Sequence, residues 1–210
     1  MIRITDGKYI RNVYGIPVVA DIFRATTNIV VMFMKGAEEV IPVRSHEEAF
    51  SLKRDGYIIF GEENTEKIEG FDYGNSPSET FTLDLKGKKA AIKTTNGSDV
   101  ILKAGEGVLI GSFLNIDALS RYLRNKEVHI FPANIKGGKA TEDNEFAYAL
   151  SKLILEPGAD ISVNLEMSRN GNGAERLKNH NLEKDIEFSL QRGITDIIPI
   201  YSKGKIIRMQ

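Results

Sequence analysis

The chain has 210 residues, no cysteine and a near-even charge, with 28 Lys plus Arg against 29 Asp plus Glu. That length suits one domain, or two small ones, with a core that needs no staples. The missing cysteine excludes disulfides, thiolate metal sites and a cysteine nucleophile, and a net charge of -1 lacks the basic excess of nucleic-acid or membrane-surface binders.

Residues 1–12 lack the apolar stretch of a signal peptide. The longest apolar runs, such as 29–34, are too short to cross a bilayer, so a cytoplasmic protein is expected. Residues 16–22 read as a buried strand and 28–35 as a helix closing near Gly36. Residues 39–43 are strand-like, and Ser45 caps a helix with Glu48 as its capping-box partner. A third strand over 57–60 leads into a polar stretch, 61–79, too long for a plain connection. Phe71, Tyr73 and Asn75 within it argue against disorder. Then come a strand over 89–94, a helix over 98–103, a strand over 108–110, a helix over 116–124 and a strand over 128–131. A strong helix covers 144–155, and 182–190 is helix-like. Strands over 195–201 and 206–209 are joined by a turn at 202–205. The alternation implies a single α/β domain, 1–210, with a largely parallel or mixed sheet covered by helices on both faces, the terminal hairpin making a mixed edge.

Ligands of open α/β sheets bind beyond the carboxyl ends of the strands. Those ends carry Asp21 with Arg24, Thr26 and Thr27; Glu62 with Glu63 and Asn64; Thr95, Asn96 and Gly97; Ser112 and Asn115; and Asn134 with Glu142 and Asp143. Helix N-termini at Thr26-Thr27 and at Asn96-Gly97-Ser98 suit anions. The planar fork of Arg24 suits phosphate or sulfonate. Asp21, Glu62, Glu142 and Asp143 are hard oxygen ligands suited to Mg2+. Each feature also has a purely structural reading. Thr26, Thr27 and Ser98 can cap helices, Asn96-Gly97 can be a turn, and Glu142-Asp143 can answer a helix dipole. Asp21 and Arg24 can form a structural ion pair.

Other signatures fail. There is no phosphate-binding G-x-x-x-x-G-K-[ST] loop, and Gly171-Asn172-Gly173 reads as a turn because Arg176 stands where a dinucleotide fingerprint needs its last glycine. His46, His129 and His180 show no ligand spacing, and His129 reads as a sheet-packed side chain.

The ordered blocks 21–27 (D-x-x-R-A-T-T), 70–77 (G-F-D-x-G-N-S-P) and 94–97 (T-T-N-G) resemble the 2-phosphosulfolactate phosphatase family. Residues 111–115 and Glu142-Asp143 fit the same pattern, and Asp185-Ile186 and Ile198-Pro199 match weaker positions, so the resemblance runs along nearly the whole chain. It implies an α/β fold and Mg2+-dependent removal of phosphate from 2-phospho-3-sulfolactate, on a route to coenzyme M. Asp21, Arg24 and Glu62 are the expected catalytic residues. Thr26, Thr27, Asn75, Ser76, Thr95, Asn96, Gly97 and Asn115 are the expected substrate contacts. Asp21, Glu62, Glu142 and Asp143 are the expected metal ligands. The implied partner is a small anionic phosphate ester, with no nucleic acid and no membrane, and a homodimer is left open.

Two departures stand out. Glu63 replaces the arginine of the family's G-E-R, and Ala133 stands alone where the family often has C-A-G. Lys67, Lys93 and Lys136 are the cations that can offset Glu63. Two rival readings accompany the phosphatase. One is an inactive relative that binds a small anionic metabolite, and the other is a nucleotide-dependent oxidoreductase.

Overall fold

The computed structural model describes residues 1–135 and 138–209, so Lys136 and Gly137 lie outside the described residues. Its strands are β1 (Ile2–Ile4), β2 (Ile16–Ala20), β3 (Glu39–Pro42), β4 (Ile58–Glu63), β5 (Glu66–Lys67), β6 (Lys89–Lys93), β7 (Leu109–Gly111), β8 (Val128–Pro132), β9 (Pro199–Ser202) and β10 (Lys205–Arg208). Its α-helices are α1 (Ala25–Met34), α2 (His46–Arg54), α3 (Pro77–Thr80), α4 (Gly97–Ala104), α5 (Ile116–Leu123), α6 (Thr141–Leu155), α7 (Ser162–Arg169), α8 (Asn172–Lys178) and α9 (Glu183–Ser189).

The strands form one mixed sheet in the order β1-β8-β2-β7-β9-β10-β3-β6-β4-β5. Two parallel blocks, β1-β8-β2-β7 and β3-β6-β4, flank the antiparallel hairpin β9-β10. The terminal hairpin is therefore central, which corrects the expected mixed edge. Leu109 of β7 pairs Ile200, and Val40 of β3 pairs Ile206, so the hairpin closes two strand edges that would otherwise stay open.

Alternation along the strands builds the layers. Val18 and Ala20 face α5 and α6, whereas Val19 faces the α1 and α4 side. In the other block, Phe60, Ala90 and Ile92 share that α1–α4 core, and Ile59 and Ala91 face Ala49 and Phe50 of α2. Helices α1 and α4 thus pack on one face against strands of both blocks. A twist of about 20–25° per strand over the steps from β2 to β6 helps bring the carboxyl ends of both blocks to one side.

The remaining differences from the sequence reading have local causes. Helix α1 starts at Ala25 rather than at residue 28, because Thr26 and Thr27 turn their hydroxyls back to the carbonyls of Asp21 (2.9 Å) and Ile22 (3.0 Å). Helix α6 starts at Thr141 rather than at residue 144. Within 61–79, β4 and β5 form a hairpin, Tyr73 bridges to Phe60, and α3 begins on Pro77 with Ser76 as N-cap. The expected strand over 195–201 shortens to β9. Gly171-Asn172-Gly173 opens helix α8 instead of making a plain turn. The capping box of Ser45 and Glu48 forms as expected, and His129 packs in β8 at 3% exposure. Among the described residues, no helix is long and apolar enough to cross a membrane.

Candidate active site

A cavity of about 320 Å³ opens where β2, β4, β6 and β8 end. Each strand end delivers polar groups to it: Asp21 after β2, Glu62 on β4, Thr95 and Asn96 after β6, and Asn134 after β8. Glu142 and Asp143 enter from the first turn of α6, Arg24 from the start of α1, and Asn75 from the segment before α3. Among the expected residues, Asp21, Arg24, Glu62, Asn75, Thr95, Asn96, Glu142 and Asp143 are therefore brought together.

The four carboxylates divide into two kinds. Both oxygens of Asp143 are engaged, accepting from the backbone N–H of Ile22 (2.8 Å) and of Asn134 (2.9 Å). That ties the β2–α1 corner to the β8–α6 loop. Glu62 is engaged likewise. It accepts from the Thr95 N–H (2.7 Å), the Thr65 N–H (2.8 Å) and the Thr95 hydroxyl (3.2 Å), which joins the ends of β4 and β6. Asp21 and Glu142 each keep an oxygen open. Asp21 Oδ1 accepts from the Ala25 N–H (3.3 Å), whereas Oδ2 has no hydrogen bond among the described residues. Glu142 Oε2 is buried without a hydrogen-bond partner among the described residues. An unpaired buried polar atom costs about 1–3 kcal/mol, more for a charged group.

Two glycines permit this arrangement. A Cβ on Gly97 would lie 2.6 Å from Asp21 Oδ2, and one on Gly173 would lie 2.0 Å from Glu142 Oε1. Side chains there would push α4 and α8 away from the carboxylates.

Crowding raises the proton affinity of the group. Burial pushes the Asp21 carboxyl up to about 6, with Arg176 opposing the shift and Glu62 adding to it. Burial lifts Glu142 to about 7, opposed by its own backbone N–H and by Arg176 and assisted by Asp21. Asp143 is held well above the usual carboxylate range by burial, then by Glu142 and Asp21. A cation would relieve all three. Among the described residues, no three His, Asp or Glu side chains form a ready-made metal cluster. Mg2+ commonly uses one or two carboxylates and completes its shell with water and substrate oxygens. The open oxygens of Asp21 and Glu142 fit that requirement.

Arg24 is largely committed elsewhere. Its guanidinium pairs with buried Asp185 at 3.0 Å and donates to the Thr65 carbonyl at 2.8 Å. Thr65 is a β-branched residue at φ 79, a strained conformation held by this bond and by Glu62. Thr26, Thr27, Ser76, Gly97 and Asn115 do not line the cavity. Thr26 exchanges hydrogen bonds with the Asp21 backbone, and Thr27 reaches the Ile22 carbonyl and the Ser112 hydroxyl. Ser76 donates to Asp185 at 2.7 Å. Asn115 bonds the carbonyls of Ile110 and Ile197 and accepts from the Ser112 N–H. Glu63 also lies outside the cavity and pairs with Lys93 at 3.3 Å.

The family model for 2-phosphosulpholactate phosphatase matches residues 4–204. The chain belongs to the 2-phosphosulpholactate phosphatase family. It is 38% identical to a probable 2-phosphosulfolactate phosphatase of Thermoplasma acidophilum, over 99% of this chain and 96% of that one. It is 35% identical to probable 2-phosphosulfolactate phosphatases of Thermoplasma volcanium, over 99% of both chains, and of Thermotoga maritima, over 90% of both.

In this member of the 2-phosphosulpholactate phosphatase family, sequence reasoning missed Arg176 and His180 of the α8 region, together with Thr65. The signal for Arg176 was present in Gly171-Asn172-Gly173, which lets α8 close on Glu142 and Thr141. Weighed only against a dinucleotide fingerprint, the same residues read as a turn.

Proposed function

We propose that this chain is a phosphoric monoester hydrolase that removes phosphate from 2-phospho-3-sulfolactate with Mg2+ as cofactor. The observation that carries the reading is the pair of open carboxylate oxygens, Asp21 Oδ2 and Glu142 Oε2, at one cavity of a family member. Its relatives from the two Thermoplasma species, both probable 2-phosphosulfolactate phosphatases, support the same substrate.

Asp21 and Glu142 are the groups that would hold Mg2+. The ion, when bound, neutralises phosphoryl charge and lowers the pKa of water. Asp143 and Glu62 position the site by locking the strand ends on either side of it. Asn75 and Asn96 supply polar contacts to the bound ester, while Thr95 holds Glu62 in place. Water forms a bond to phosphorus as the bond from phosphorus to the ester oxygen breaks, and a proton from water ends on the departing hydroxy acid. Catalysis of this kind is mostly positioning and charge stabilisation.

The pairing of Glu63 with Lys93, outside the cavity, supports an anionic ester as ligand despite the replaced arginine. The replaced arginine leaves no unpaired carboxylate facing the ester. Phosphate release from 2-phospho-3-sulfolactate and a panel of small phosphate esters tests the reading. Release from phosphosulfolactate is expected. Release from other esters alone would retain the chemistry and remove the substrate, and none from a folded sample would leave the anion-binding reading.

A further inference from the structure

We propose that Arg176 is the residue that receives the phosphoryl group in this cavity, with Arg24 serving as structural support. The proposal rests on the phosphatase reading above and adds a substrate contact to it.

The two arginines that line the cavity differ in what they already hold. Arg24 is 5% exposed, its charge is met by Asp185, and Asp185 is further fixed by the hydroxyls of Ser76 and Ser78. Arg176 forms no ion pair among the described residues. One terminal nitrogen, Nη2, donates to the Phe23 carbonyl at 2.9 Å. Its Nε–H is buried with no acceptor among the described residues. A guanidinium in that state has donors in reserve for an oxyanion, in the planar fork that phosphate matches.

The unpaired Nε of Arg176 has a counterpart. Glu142 Oε2 is also buried and also lacks a partner among the described residues, yet the two side chains make no salt bridge with each other. Both line the same cavity. A cation on the carboxylate and a phosphoryl oxygen on the guanidinium satisfy both groups together, which neither does for the other. The backbone is built to hold this arrangement. Gly171 passes so close to Thr141 that a Cβ would lie 2.4 Å from its Cβ, and Gly173 meets Glu142. These contacts seat α8, and Arg176 with it, against the first turn of α6.

The carboxylates around the cavity make the cation more necessary. Asp21, Glu62, Glu142 and Asp143 all line it, while Asp185 offsets Arg24, so a doubly charged phosphate would meet a repulsive field without Arg176.

The test is calorimetric titration of inorganic phosphate, with and without Mg2+, into the full chain and into Arg176→Gln and Arg176→Lys. It reads binding without turnover. Arg176→Gln is expected to weaken phosphate binding at least tenfold, Arg176→Lys less, and guanidinium ion is expected to restore part of the ester turnover of Arg176→Gln. Arg176→Lys keeps a charge and a donor for Phe23, so it separates lost binding from lost folding. Wild-type phosphate affinity in a folded Arg176→Gln would overturn the role of Arg176, even if turnover of esters by the wild type upholds the phosphatase reading. A wild type that neither binds phosphate nor turns over esters would overturn both.

Discussion

Gly173 and Glu142 touch so closely that a single methyl group at position 173 would come within 2.0 Å of the carboxylate oxygen Oε1. The neighbour is a buried charged group rather than the free end of a flexible chain, since Glu142 is 1% exposed. Gly173→Ala should therefore move α8 or Glu142. We expect at least a 100-fold fall in turnover with a stability loss of about 1–3 kcal/mol, the usual cost of overpacking. Steady-state kinetics beside a denaturant melt checks this, and unchanged kinetics would detach α8 from the site.

The crowded carboxylates predict an inverted pH dependence of stability. Asp21 and Glu142 have folded pKa values of about 6 and about 7, above the 3.8 and 4.5 of unperturbed groups. A carboxyl raised on folding contributes stability that is fully present below its unfolded pKa and is lost as pH rises through its folded pKa. In EDTA, Tm should rise on going from pH 8 to pH 5.5, by on the order of 5 °C for a chain of this size. Added Mg2+ should recover most of that difference at pH 8. A Tm that falls steadily from pH 8 to pH 5.5 in EDTA would contradict the crowding.

Asp143 is expected to act as a clamp. Both its oxygens accept backbone N–H groups, from Ile22 and Asn134. In Asp143→Asn the amide nitrogen must face one of those donors. The unsatisfied group should cost about 1–3 kcal/mol in chemical unfolding, and activity should fall with it. Full stability in this variant would remove Asp143 from the structural role.

Arg24 and Arg176 should separate by phenotype. Arg24→Gln leaves Asp185 buried and uncompensated, and breaking such a pair costs about 3–5 kcal/mol. Arg176→Gln should lose less stability, because Arg176 has no carboxylate partner to abandon among the described residues. Urea melts of the two variants decide the matter, and equal losses would contradict the division of labour.

Most of the fold was legible because alternating strand and helix periods are local properties of the chain. The capping box at Ser45 and Glu48 is an example, set by two side chains three residues apart. The place of β9-β10 was not legible, because strand order depends on which distant edges need partners. The site was legible in part. Strand-end carboxylates pointed to Asp21, Glu62, Glu142 and Asp143, but which of them keep an open oxygen depends on backbone N–H groups that only folding supplies. Thr27, Ser76 and Asn115 lie in the blocks that resemble the family and are engaged in hydrogen bonds inside the protein. They hold corners of the chain together, as Ser76 does through Asp185.

The most direct measurement is phosphate release from 2-phospho-3-sulfolactate by the wild type and by Asp21→Asn, each in Mg2+ and in EDTA. Metal-assisted hydrolysis at this cavity predicts release by the wild type in Mg2+ only, and a fall of about 1000-fold or more in Asp21→Asn, consistent with loss of a charged contact in the transition state. Near-normal release by a folded Asp21→Asn, or release undiminished by EDTA, would contradict it.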